Sequence, residues 1–243
     1  LFLCIGLLFA IPFPFSLYFV YASPLAAVIS LGIGVPVLVI SIAGWVKETV
    51  STHTHEHEHM HLGEVTGLGL DAMEYFIVAE ALIFVAFFVS YWVTRLSATS
   101  WPPAGTPHIS MAAPMVMTLI LVTSSITMHV AELQLKKNRL QGMIGWLVVT
   151  MILGTVFVGF SINEWAHLFG EGFNFTTNIY SSSFFSITGF HMSHVLVGLG
   201  MFIAILLPAL GGKTNKTFIK SAGVYWHFVD IVWFFVLSQV YFW

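Results

Sequence analysis

Long apolar runs, rather than short alternations of apolar and polar positions, organise this chain. Seven stretches reach the roughly 20 mostly apolar residues that a helix needs to cross a bilayer. They fall at 1–21, 25–46, 70–95, 111–134, 140–162, 181–208 and 219–242. Between the first two the break is short, Ala22, Ser23 and Pro24, and the proline suits the first turn of the next helix. Pro12 and Pro14 should bend the first span, which membrane helices tolerate when neighbours re-satisfy the freed carbonyls. The longest break, 47–69, divides two front spans from five later ones. The pattern therefore predicts an all-α integral membrane protein of one domain, with a two-helix front part and a five-helix back part.

Composition agrees. Only 8% of the 243 residues are charged and 58% are hydrophobic. A soluble domain carries roughly a quarter charged residues, so lipid must be the main solvent. A formal net charge of −3 offers nothing to a nucleic acid. With Cys4 as the single cysteine, no disulfide forms within the chain and no cysteine-ligated cluster is possible. The chain starts at Leu1, so a short N-terminal piece is expected to precede it. The first run lacks a basic leader and a small-residue cleavage pattern, and reads as a helix that stays.

Charge also orients the spans. Lys47, Lys136, Lys137, Arg139, Lys213, Lys216 and Lys220 fall on one side of a seven-span topology, and Arg95 alone on the other. The positive-inside bias places the N-terminus in the cytoplasm and the C-terminus outside.

Ionisable groups inside spans cost roughly 2.5 to 3.5 kcal/mol at a helix centre on insertion scales, so each needs an account. Glu80 lies in the middle of the third span with no basic residue in reach on its own helix. It is either carried as the neutral acid or paired with a polar group from another helix. Asp71 and Glu74 lie nearer the end of that span, where solvent is expected. Glu74 and Glu80 are about 240° apart around the helix and do not share a face. His129 and Glu132 share a face and read as a local hydrogen-bonded pair, with a pair of metal ligands as the alternative. His191 and His194 also share a face, but a metal there would need ligands from other helices. His227 and Asp230 share a third face, where a His–Asp hydrogen bond would reduce the cost of both.

One segment points elsewhere. HTHEHEHMH, 53–61, sets His53, His55, His57, His59 and His61 at every second position in the long break. Such a tract binds Zn²⁺ or Ni²⁺ weakly, or buffers protons near the ordinary histidine pKa of about 6.5, or contacts a partner. Zinc carriers of the diffusion-facilitator type usually show a His or Asp, three residues, then an Asp within their spans. The in-span pairs here have two residues between them. A zinc transporter therefore rests on the loop alone, and no metal is assigned to the spans.

Several stretches together resemble subunit III of the haem-copper respiratory oxidases. YWHFVDIVWFF (225–235) resembles that family's last helix, IYSSSFFSITGFHMSHVLVG (179–198) its sixth and MEYFIVAEALIFVAFFVSYW (73–92) its third. WPPAGTP (101–107), SSITMHVAE (124–132) and NEWAHLF (163–169) are similar to further family segments. The likeness covers about 70–243, and spans one and two match only as hydrophobic helices in the expected place. It implies a non-redox accessory subunit of a proton-pumping aa3-type terminal oxidase, in a bacterial or archaeal plasma membrane. The complex reduces O₂ to water with electrons from cytochrome c or quinol. This chain would bind no cofactor. Haem and copper would lie in partner subunits, the catalytic subunit I and subunit II. Phospholipids would fill a cleft between the front and back helices. The subunit would stabilise the catalytic subunit, support proton uptake and prolong the life of the catalytic centre. Glu80 would take the place of the family's buried, carbodiimide-reactive carboxyl. Glu164, His191, His194, Tyr225, Trp226, His227 and Asp230 match family positions with structural or lipid-related roles, none of them catalytic.

The chain also departs from the family. LDAMEYF has no arginine before the third helix, and so lacks the residue on which the family's lipid-phosphate clamp would be built. Glu74 replaces an apolar residue, Glu132 and Leu133 stand where paired histidines are usual, and Ser181 stands where glycine is usual. The histidine tract is not a family signature. An accessory protein of a nitric oxide reductase or of a quinol oxidase is the nearest rival reading.

Overall fold

A computed structural model describes residues 65–242, together with the isolated helical positions Pro36 and Ile40. Nearly all of these belong to the second of two compact units, Leu1–His61 and Leu62–Trp243. The spans expected at 1–21 and 25–46, the cleft behind them and the tract from His53 to His61 lie outside the described residues.

Within them every element of regular structure is a helix. Helix α1 is Val65–Ser97, α2 Ala112–Lys136, α3 Leu140–Gly170, α4 Ile179–Leu210 and α5 Lys216–Val236, and α5 runs on into a π-helical stretch, Leu237–Tyr241. All five are long and apolar enough to cross a membrane. They coincide with the five later runs of the sequence, but α3 continues well past the expected end at 162. Asn163, Glu164 and His167 interrupt the apolar run without breaking the helix: polar residues mark where a span approaches water, and helix propensity carries the backbone on.

Side-chain bonds fix which ends meet. At one end, Asn138 takes a left-handed φ of 53° in the turn between α2 and α3, and its side chain accepts a hydrogen bond from Lys216 Nζ, 2.9 Å away, at the start of α5. Asn215 caps α5 by accepting from the Phe218 amide. At the other end, Tyr180 near the start of α4 donates to the carbonyl of Val240 near the chain terminus. Asn178 bonds to Ala104 and Thr106 in the loop after α1. Successive helices therefore run up and down.

Ser181 is explained by the start of α4. The Asn178 side chain accepts from the Ser181 amide, and Ser181 Oγ accepts from the Asn178 amide. This reciprocal cap satisfies two otherwise orphaned donors. Glycine, the residue usual in the resembling family, has no side chain to complete it.

Helix α5 packs against α1, α2 and α4, while α3 packs against α2 and α4. Close approach depends on glycine, as in membrane helices generally, where small residues let backbones and large rings meet. Trp226 lies between Gly154 of α3 and Gly198 of α4. A Cβ at either would come within 2.8 Å and 2.7 Å of the indole, respectively.

Candidate functional site

The acid in mid-span has a partner. Glu80 lies about 15 Å along the helix axis from Leu70, where the apolar window of α1 begins. Its Oε2 is 3.1 Å from Nε2 of His194 on α4. His194 Nδ1 is 2.8 Å from the carbonyl oxygen of Phe190, one turn earlier. The Tyr225 hydroxyl of α5 donates to the carbonyl of His194 at 3.2 Å. Three helices thus meet at one histidine, enclosed by Phe84 at 5.1 Å and Phe190 at 4.6 Å between ring centroids.

These bonds restrict where the proton sits. A carbonyl oxygen only accepts, so Nδ1 of His194 carries a hydrogen. Nε2 then either donates to a Glu80 carboxylate or accepts from the Glu80 acid. The pair is neutral as a whole in both arrangements, and they differ only in which side of a 3.1 Å gap holds one proton. The alternatives posed by the sequence, a neutral acid or a polar partner, are joined in one pair. The partner's side chain is 9% exposed and that of Glu80 18%, so water competes little for the bond.

His191, expected on the same helix face, points into a different environment. It is 1% exposed, and neither ring nitrogen has a hydrogen-bond partner among the described residues. Its ring packs against Phe157 and Trp233, at 5.8 Å and 5.3 Å. The two histidines therefore do not converge on one ligand.

The expected bond between His227 and Asp230 does not form. His227 Nδ1 bonds instead to Ser125 Oγ of α2 at 2.6 Å. Asp230 is buried, and among the described residues its carboxylate accepts no hydrogen bond of good geometry, although the Ser125 hydroxyl also bears on it. The helical spacing is compatible with a His–Asp contact, but a small hydroxyl on the facing helix competes for the ring. His129 and Glu132 likewise make no hydrogen bond to each other, although a ligand atom of each lies within 4.8 Å of the other. Asp71 and Glu74 are exposed.

Glu164 accepts from the Tyr241 hydroxyl at 2.8 Å, which ties the π-helical end of the chain to α3. Trp226 Nε1 donates to Ser124 Oγ at 3.0 Å and Trp233 Nε1 to Thr118 Oγ1 at 2.9 Å. Ser124, Ser125, Thr118 and Tyr241 are partners that the sequence reading missed. The Thr123–Ser124–Ser125 run inside an apolar span was the available signal for two of them.

The arrangement holds one proton in mid-span and anchors aromatic residues by single hydrogen bonds. Comparison with known proteins identifies the family. The family model described as "Cytochrome c oxidase subunit III" matches residues 4–243. Cytochrome c oxidase subunit 3 of Synechocystis sp. is 35% identical over 170 residues, 68% of this chain and 72% of that protein. The protein of the same name from Alkalihalophilus pseudofirmus is 34% identical over 171 residues, 69% of this chain and 82% of the relative. Quinol oxidase subunit 3 of Bacillus subtilis is 33% identical over 171 residues, 68% of this chain and 82% of the relative.

Proposed function

The chain belongs to the cytochrome c oxidase subunit III family, and on that premise we propose that it is the non-redox accessory subunit of a proton-pumping, aa3-type terminal oxidase. It packs beside the catalytic subunit in a bacterial or archaeal plasma membrane, with seven spans and its N-terminus in the cytoplasm. Haem and copper are held by the partner subunits. The chain's own contribution is physical: it excludes water, orders lipids and supports proton uptake.

The single observation that carries the chain's own part is the Glu80–His194 pair. An acid whose bond to an imidazole spans 3.1 Å in an apolar bundle exchanges a proton with its partner without creating a net charge in the membrane. This suits a group that holds a proton beside a pumping enzyme. The lipid-facing role is supported by α1, whose Val78, Leu82, Val85, Val89 and Val93 are all exposed.

A quinol-fed oxidase is the second reading, because the relative from Bacillus subtilis carries that name and covers the same share of the chain. Purification of the chain from native membranes in mild detergent tests both. The expected result is co-purified haem a with oxygen uptake, and reduced cytochrome c or quinol supplied separately identifies the donor. Haem b with nitric oxide consumption would replace the oxidase by a nitric oxide reductase. Absence of any haem, with transport of zinc by the chain alone, would overturn the reading.

A further inference from the structure

His129, Glu132 and His227 each turn one ligand atom towards the others, and these atoms all lie within 4.8 Å of one another. We propose that they form a binding site for a divalent transition cation of the zinc class, joining α2 to α5 near the lysine-bearing end of the bundle. The proposal does not depend on the oxidase reading.

Three features favour it. Two imidazoles and one carboxylate, with a water completing a tetrahedron, is a donor set that zinc accepts. Its ligand atoms would stand about 3.4 Å apart once bonds of about 2.1 Å had formed, so a closing movement of at most about 1.4 Å from the 4.8 Å limit, in exposed and half-buried side chains, suffices. Next, His227 is already oriented: Nδ1 is held by Ser125 at 2.6 Å, and Nε2 makes no hydrogen bond among the described residues. Metal-ligating histidines are typically fixed in this way through their second nitrogen. Third, Glu132 is brought against α5 by Gly223, where a Cβ would overlap its carboxylate. Neither Glu132 nor His129 spends its donor atoms on a hydrogen bond among the described residues.

The surroundings also select the ion. Lys136 and Lys220 act on Glu132 through charge, which penalises a cation held by charge alone. Magnesium and calcium, which prefer oxygen donors, are therefore disfavoured against an ion that bonds to imidazole nitrogen.

The test uses the full chain from native membranes with whatever co-purifies. His53, His55, His57, His59 and His61 are replaced by Gln in every sample, so that the tract does not contribute to the metal count. After chelator treatment the protein is titrated with Zn²⁺, desalted and its metal counted by mass spectrometry. The expected result is one zinc per chain that is lost in His129→Gln and in Glu132→Gln, with an absorption-edge spectrum showing two imidazole ligands. Zinc should also raise the thermal midpoint of the parent and leave that of His129→Gln unchanged. His129 is exposed, so its replacement leaves the fold intact and the comparison valid. An equal zinc count in parent and His129→Gln would overturn the site, as would displacement of the zinc by excess magnesium.

Discussion

Helices α1 and α5 are both apolar, both long enough to span a bilayer and each carries one acid deep in the span, yet they are built for different neighbours. In the apolar window of α1 only 11% of residues are buried, and in that of α5 with its π-helical end 61% are. Helix α5 is tied to α2 through Trp226–Ser124, His227–Ser125 and Trp233–Thr118. The one side-chain hydrogen bond from α1 to another helix, among the described residues, is Glu80–His194. Hydrophobicity is enough to make a helix a span. Glycine cradles and small hydroxyls on the facing helix make it a packed one. The acids differ accordingly: Glu80 has a partner and some exposure, whereas Asp230 is buried by packing and lacks a well-formed bond among the described residues.

The largest effect expected from this contrast is on the α5 cradle. Gly198→Leu would drive a branched side chain into the Trp226 ring, where even a Cβ would stand 2.7 Å away. Overpacking of this kind costs about 1–3 kcal/mol, occasionally more, and the expected outcome is loss of the chain from membranes by immunoblot. Normal accumulation would show that α5 does not depend on the cradle. Next comes His194→Ala, which strands Glu80 in the bundle and should lower unfolding free energy in mixed micelles by about 1–3 kcal/mol. Glu80→Gln should cost less, because the amide still reaches the imidazole. If both cost the same, the pair is not a bonded unit. Tyr241→Phe removes a single bond to Glu164 and should cost about 1 kcal/mol in the same assay. The smallest effect is expected from Asp230→Asn, within about 1 kcal/mol of wild type, because no strong bond is lost. A large loss there would reveal a partner for Asp230 and remove the contrast with Glu80.

Much of this was legible in the chain itself. Apolar run length located the five described helices, and the motif-bearing stretches around Glu80, His194 and Trp226 pointed to the family. The partners were harder to read. Glu80 and His194 are separated by 114 positions, and only the packing of α1 against α4 brings them together. The His227–Asp230 expectation used spacing within one helix and could not weigh Ser125 on another. Gly154 and Gly198 were silent for the same reason, since a glycine in a span shows its purpose only when the ring it admits is known. The extension of α3 to Gly170 was missed because hydropathy reports where lipid ends, whereas helicity continues into the interface.

The most direct test of the account is Glu80→Gln in the complex that co-purifies with this chain. Initial oxygen uptake and the number of turnovers before activity decays would be followed together, with haem spectrum and subunit content checked beforehand. The account predicts unchanged haem, unchanged subunit content and an unchanged initial rate, with a clearly shortened active lifetime. A changed haem spectrum in the variant complex would contradict a non-redox accessory role. A lifetime equal to wild type would remove the Glu80–His194 proton from any part in the enzyme's function.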